Sequence, residues 1–525
     1  MSFTYQINGG VKFNIDPSLL QKAESFKPEL ICKEIKPARL VELTDEPDKL
    51  GGVGVKCSKI NIENMSAVSY GRGDSLILDF GQHLVGRFSV NIDSVGSPMD
   101  APLYLKLRFA EMPHELAYES DLYDSWLSQS WIQEEMIHID ELPTTLRLSR
   151  RYSFRYVKIT VIDTSGKWKA VFANPAAVSE SSANYDILPQ ISLQDDILQR
   201  IYDVSVRTLG ECMQTVFEDG TKRDRRLWLG DLRLQALANY TTFDNTALVK
   251  RCLYLFAAMP TDDGRITANV FEKPKIAPDD TFLFDYSLFF ISVLSDYLNV
   301  HSDIEMLNDL YPIAKNQMDY AVRLIDENGK LNLNCENPVF IDWSGDFDKS
   351  TCGQAVMIYA LRQFIKLSEM FGNSDITRYV KTLDKMISYC KEYLLDRDKM
   401  LFKSNGEYNI ASQVWAVIAE ILNKDESRAV MQSTVNSLFP VRNIATPYMY
   451  HHIVEALFMT GLKDEGIALM KDYWGKMIEM GADTFWEAFM PDNTDYSPYG
   501  DPLVASYCHA WSCTPVYLIR KYLIL

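Results

Sequence analysis

Several things are scarce in this sequence. Across Met1–Leu20 there is neither a basic stretch nor an apolar core, so no secretory signal peptide is expected. Charges interrupt every apolar run well before the roughly 18 residues that a membrane-spanning helix needs. Histidine is rare, 7 in 525 residues, and scattered, and no Asp-rich calcium-loop spacing occurs. Neither a metal nor a cofactor is therefore expected, although a calcium ion held by carboxylates and carbonyls needs no compact motif. The nine cysteines (Cys32, Cys57, Cys212, Cys252, Cys335, Cys352, Cys390, Cys508 and Cys513) are odd in number and form no CxxC pair. That pattern suits reduced, buried thiols in a cytoplasmic protein rather than a disulfide frame or a zinc site. Glycine and proline, 25 and 21 residues, are too few for a collagenous or low-complexity chain. Basic residues are also in deficit, 53 against 71 acidic ones, for a net charge of −18. Such a balance argues against nucleic acid and anionic membranes as partners.

What is present fits a globular protein: 47% hydrophobic and 24% charged residues. Aromatics reach 12%, which suits sugar stacking, though core packing accounts for most of them. The texture changes near residue 185. Before it, short alternating runs dominate. Leu103, Leu105, Leu107 and Phe109 alternate with Tyr104, Lys106 and Arg108, and Val157, Ile159 and Val161 alternate with Lys158 and Thr160. Period-2 runs between Gly, Asp, Ser and Pro breakers predict an antiparallel, jelly-roll-like β-sandwich over 1–185. Residues 112–140 read as a long aromatic loop carrying a short helix. After residue 190 the period is helical. Ser192 with Asp195, and Ser302 with Glu305, mark helix starts. Twelve helical segments follow, from 194–215 to 502–521. They suggest six helical hairpins closed into a ring over 186–525, with a solenoid as the alternative.

Chemistry is expected in the long polar connections. The densest, Glu218–Asp231, holds four carboxylates, four cations, Trp228 and two glycines. It is either a salt-bridged connection or a cleft in which arginines tune carboxylates. In a second segment Glu487 is enclosed by Phe485, Trp486 and Phe489, as a paired buried acid or a functional one. A third places His509 two residues before Trp511, a pairing that suits a sugar pocket. Asp285-Tyr286 and Asp342-Trp343 each set an acid beside an aromatic, as a cap, a core contact or a site residue.

Together these residues resemble glycoside hydrolase family 78, the α-L-rhamnosidases. Asp219, Asp224 and Asp231 are spaced by five and seven residues as in that family's helical-domain motif. Thr484-Phe485-Trp486-Glu487 and His509-Ala510-Trp511 match in the same order. The β-region joins through Asp79–Arg87 and Arg151–Val157, so the resemblance covers roughly 75–525. It implies an (α/α)6 barrel preceded by β-sandwich material, and hydrolysis of terminal α-L-rhamnosyl residues with inversion. It places Asp224 at the general-acid position and Glu487 at the general-base position. Asp219, Asp231 and His509 would bind sugar hydroxyls, while Trp228 and Trp343 would line the pocket. Arg223, Asp285, Asp342, Trp486 and Trp511 complete the candidate substrate-binding set. The chain departs from the family in two ways. The acid position is usually glutamate, and Asp224 sets its proton about 1.5 Å further back, which leaves Asp219 as an alternative acid. The chain is also short for the family.

An inverting hydrolase separates its two carboxyls by roughly 6.5–9.5 Å. With Asp224 as the acid, Arg223 and Arg225 are expected to point partly away from it. Four rivals stand beside this reading: another inverting exo-glycosidase acting on a different neutral or 6-deoxy sugar, a glycoside phosphorylase, a polysaccharide lyase, and a noncatalytic carbohydrate-binding relative. An acidic Glu487 argues against the phosphorylase, and the clustered aspartates argue against the lyase.

Overall fold

The computed structural model describes residues 10–334, 338–373 and 376–524; Cys335 lies outside them. The first third of the chain is built on one ten-stranded sheet in which every pairing is antiparallel. Its organising strand is Ser75–Gly96, 22 residues long. At its start this strand lies between Arg39–Asp45 and Tyr152–Asp163; from Ser89 onward it lies between Trp168–Ser181 and Thr144–Arg147. A strand that changes neighbours along its length turns the corner of a sandwich. The alternation read from the sequence is the buried face: Leu103, Leu105, Leu107, Val157 and Ile159 are fully buried in one apolar core with Leu78, Phe88 and Trp168. Residues 112–140 hold three short 3-10 turns (Pro113–Leu116, Ser120–Leu122 and Gln129–Trp131) where one short helix was expected. They also hold a strand, Glu134–Ile139, that the expected loop did not include; it pairs with Leu103–Ala110.

The remaining two thirds are mainly helical, and their α-helices begin at Asp196 and end at Ile519. Among the described residues the predicted segments correspond to twelve runs, because Lys463–Met470, Lys471–Gly475 and Lys476–Glu479 continue as one rod through a π turn. The starts differ in detail. The first helix, Asp196–Cys212, is capped by Asp195, which accepts the N–H groups of Ile197 and Leu198, so Ser192 plays no capping part. Asp303, not Ser302, caps Ile304–Val322. The last segment is the largest miss. Only Pro515–Ile519 is α-helical, and residues 502–514 form an irregular run with two 3-10 turns.

A short helix that was not foreseen, Pro17–Ser25, packs against Thr246–Ala257, where Arg251 donates to the Ala23 carbonyl at 2.9 Å. A segment inside the expected 1–185 unit therefore docks on the helices. Cys32 and Cys57 are exposed, contrary to expectation, whereas Cys212, Cys252, Cys352, Cys390, Cys508 and Cys513 are buried free thiols. No helix of the described residues is long and apolar enough to cross a membrane.

Candidate active site

The polar connection between helices Asp196–Cys212 and Leu229–Tyr240 folds back on itself. Asp219 donates its N–H to the Arg226 carbonyl at 3.0 Å, and its Oδ1 accepts the Arg226 N–H at 3.0 Å. Gly220 is required at the turn, since a Cβ there would sit 2.2 Å from the Arg223 carbonyl oxygen. The loop lies against the irregular run before the last helix: Gly220 bridges to His509, and Ala510 donates to the Asp219 carbonyl at 2.7 Å. Next to it, Glu487 donates its N–H to Ser506 at 3.0 Å, and His509 donates to Phe485 at 2.9 Å. The three segments singled out in the sequence thus meet.

The sheet domain holds this loop from behind. Arg151 pairs with Glu218 at 2.7 Å, Ser153 and Thr221 share a hydrogen bond of 2.7 Å, and Lys222 pairs with Glu115. Arg225 points back as well, donating to the Thr221 and Arg151 carbonyls at 2.9 and 3.0 Å. Lys222 and Arg225 therefore anchor the loop, whereas Arg223 and Arg226 face the cavity. The Arg223 guanidinium contacts Asp224 Oδ1 at 3.2 Å and Glu487 Oε2 at 2.6 Å, and it stacks on Tyr499 at 3.9 Å. The expectation that Arg223 turns away from Asp224 is corrected. The reason is that the buried Glu487 needs a cation and Arg223 supplies it.

These groups face a cavity of about 240 Å³ lined by Asp219, Arg223, Asp224, Asp231, Glu487 and His509, with Trp228, Trp343 and Trp511 among its aromatic walls. Two contacts and the span of one guanidinium hold the nearest Asp224 and Glu487 oxygens within roughly 8 Å of each other. Burial pushes Glu487 above the usual carboxylate range; Arg223 and the Tyr499 hydroxyl, which donates to Oε1, oppose it. Burial drives Asp219 well above that range, helped by the charges of Asp224 and Asp231. Asp231 rises in the same way, through burial and then the charge of Glu487. Burial and then Arg223 hold His509 well below the usual histidine range, so its ring is neutral. Asp231 Oδ1 and His509 Nδ1, 3.6 Å apart, are buried without a hydrogen-bond partner. Buried polar atoms left open in this way suit the hydroxyls of a ligand.

Two family models cover the chain. The N-terminal domain model of the family 78 α-rhamnosidases matches residues 37–179, and the six-hairpin glycosidase domain model of the bacterial α-L-rhamnosidases matches 189–523. The chain belongs to glycosyl hydrolase family 78, the α-L-rhamnosidases. It is similar over 98% of its length, and over 100% of the other chain, to a rhamnosidase from Klebsiella oxytoca with rhamnose bound, at 41% identity and a TM-score of 0.94. Two further family structures share the fold. A rhamnosidase of Bacillus sp. GL1 is 20% identical with a TM-score of 0.71, over 85% of this chain and 46% of that one. The α-L-rhamnosidase of Streptomyces avermitilis is 16% identical with a TM-score of 0.68, over 94% and 44%. This chain spans about half of each of those two. No curated protein sequence matches it.

Within this rhamnosidase, three expected substrate-binding residues lie off the cavity. Asp285 spends its carboxylate on the N–H groups of Phe340 and Ile341, at 3.0 and 3.1 Å. Asp342 accepts from Ser344, Ala445 and Thr446 N–H groups at 2.9, 2.9 and 3.0 Å. Both acids are structural: they fix the backbone around Phe340 and Trp343, and those two side chains do line the cavity. Trp486 points to a neighbouring cavity and packs against Phe489 and Tyr507. Sequence reasoning missed Tyr499, Arg226, Tyr286 and Phe340, and also Trp126, Leu127 and Trp131 of the sheet domain. The only available signal for the last three was two tryptophans in a polar segment that looked too long.

Proposed function

We propose that this rhamnosidase removes terminal α-L-rhamnosyl residues by a single inverting displacement. The observation that carries the proposal is Arg223, one guanidinium held between two carboxylates in one cavity. Glu487 is the base. Arg223 and the Tyr499 hydroxyl favour its ionised form against the cost of burial, so it can take a proton from water as that water attacks the anomeric carbon. Asp224, 18% exposed on the same cavity, is the acid that protonates the departing glycosidic oxygen. The bond from the anomeric carbon to the aglycone oxygen breaks as the bond to water forms, and the two carboxyls exchange protonation states. A ceiling of roughly 8 Å on their separation admits both the inverting range of about 6.5–9.5 Å and the retaining one near 5–5.5 Å, so the anomer first released decides between them. Asp231 and His509 receive sugar hydroxyls on their unpartnered atoms. Trp228, Trp343 and Trp511 offer apolar faces.

One observation favours a second assignment of the acid. Burial and the charges of Asp224 and Asp231 push the Asp219 carboxyl well above the usual carboxylate range, which suits an acid, and it lies five residues from Asp224 on the same cavity. Leaving-group dependence separates the two. In Asp224→Asn, kcat/KM is expected to fall by about 10³ on a rhamnosyl disaccharide but by less than about tenfold on an activated aryl rhamnoside, whose phenolate needs little protonation. If Asp219→Asn shows that selectivity and Asp224→Asn does not, Asp219 is the acid.

A further inference from the structure

Trp126 is 57% exposed, although it lines the cavity that contains the catalytic carboxylates. It is the end of an aromatic arc. From the buried floor, His509 touches Trp511 at 4.5 Å between ring centroids, Trp511 stacks on Phe340 at 5.7 Å, and Phe340 meets Trp343 at 5.5 Å. Trp343 then meets Tyr499, and Tyr499 meets Trp126, each at 5.9 Å. Tyr499 binds Glu487, so Trp126 stands one ring outward from the carboxylate. The indole is not on a loose end. Ser125 Oγ donates to the Tyr499 carbonyl at 2.6 Å, and the Tyr123 hydroxyl donates to the Leu127 carbonyl at 2.9 Å. Leu127 and Trp131 pack into an apolar cluster with Ile132, Tyr499, Leu503 and Val504. A large apolar ring held open to solvent at the mouth of a sugar-sized cavity forgoes burial that folding would otherwise favour. Stacking on a ligand ring recovers it.

We infer that Trp126, carried by the sheet domain, is the platform for the leaving group, and that this rhamnosidase prefers aglycones that present a ring with an apolar face. The inference rests on the hydrolase reading above. Aryl groups and pyranosyl rings both offer such a face, so the test has an arm for each. The kcat/KM values of wild type, Trp126→Ala and Trp126→Phe are measured on 4-nitrophenyl α-L-rhamnoside, on a rhamnosyl-glucose disaccharide and on methyl α-L-rhamnoside, together with inhibition by free L-rhamnose. The expected result for Trp126→Ala is a loss of about tenfold on one or both ring-bearing substrates and of less than about twofold on the methyl glycoside. Trp126→Phe should recover most of that loss, and inhibition by rhamnose should be unchanged. Loss on the aryl substrate alone assigns the platform to aromatic aglycones; loss on the disaccharide alone assigns it to sugars. Equal losses on all three substrates, weakened rhamnose inhibition, or no loss on any would overturn the inference. A wild-type enzyme inert toward all three would instead overturn the hydrolase reading itself.

Discussion

Arg223 ties Glu487, the proposed base, to Asp224, and its removal has a calculable consequence. In Arg223→Gln, Glu487 loses a cation whose nitrogen lies 2.6 Å from its carboxylate, and keeps the Tyr499 hydroxyl as donor. Two unit charges about 4 Å apart interact by about 4 kcal/mol at an effective dielectric constant near 20. That corresponds to a ceiling of about three pK units. Water entering the vacated space screens the remaining charges, which leaves a shift of roughly one to two units. The direction is fixed. Burial already holds Glu487 above the usual carboxylate range and Arg223 pulls it down, so losing Arg223 raises it further. A base must be ionised, so the acidic limb of the profile of kcat/KM against pH should move to higher pH by the same roughly one to two units. An activated aryl rhamnoside isolates this limb, because its departure hardly depends on the acid. Arg223→Lys keeps the charge without the two-pronged geometry. It should shift the limb by less than about half a unit while lowering the plateau. An unmoved limb in Arg223→Gln, or equal shifts in both variants, would refute the assignment of Glu487 as an Arg223-tuned base.

The structural acids should behave differently from the proposed catalytic pair. Asp342→Ala leaves the N–H groups of Ala445 and Thr446 buried without an acceptor, at about 1–3 kcal/mol each, so thermal unfolding should begin several degrees lower. Asp342→Asn, which keeps a carbonyl acceptor, should be milder and should leave the rhamnose inhibition constant within about twofold of wild type, whereas Asp342→Ala also frees the backbone beside Trp343 and should weaken rhamnose inhibition. Glu487→Gln should lower kcat by about 10²–10⁴ while still binding rhamnose, as measured by calorimetry. A kcat near wild type would rule Glu487 out as the base.

Much of this site can be read directly from the residues, and the failures have physical causes. The cluster Asp219, Asp224 and Asp231, with Arg223, Glu487 and His509, was legible because its charges and aromatics are denser than a salt-bridged connection needs, and only part of them, Glu218, Lys222 and Arg225, is spent on anchoring the loop. The helical periods were legible wherever one face is apolar over several turns. The last segment misled because Leu503, Val504, Cys508 and Trp511 are buried at helix-like intervals, yet they pack from an irregular run that pairs with Glu487 and the Asp219 loop. Asp285 and Asp342 misled for the opposite reason. An acid before an aromatic reads the same whether it meets a sugar or a backbone N–H, and only three-dimensional placement tells which. Trp126 and Leu127 come from a segment more than 90 residues before the Asp219 loop, so nothing local links them to Glu487, whereas Tyr499 lies between the Glu487 and His509 motifs without a pattern of its own. The aspartate at position 224 was visible as an anomaly, and the structure adds that it shares the Arg223 guanidinium with Glu487.

The central claim is a single displacement by water held on Glu487 while Asp224 protonates the leaving group. Proton NMR of the first turnovers on an α-L-rhamnoside tests it most directly, before mutarotation mixes the anomers. Initial release of β-L-rhamnose is the result the account predicts. Initial release of α-L-rhamnose would contradict it, because retention requires a carboxylate that bonds to the sugar, from about 5–5.5 Å away, rather than one that holds water.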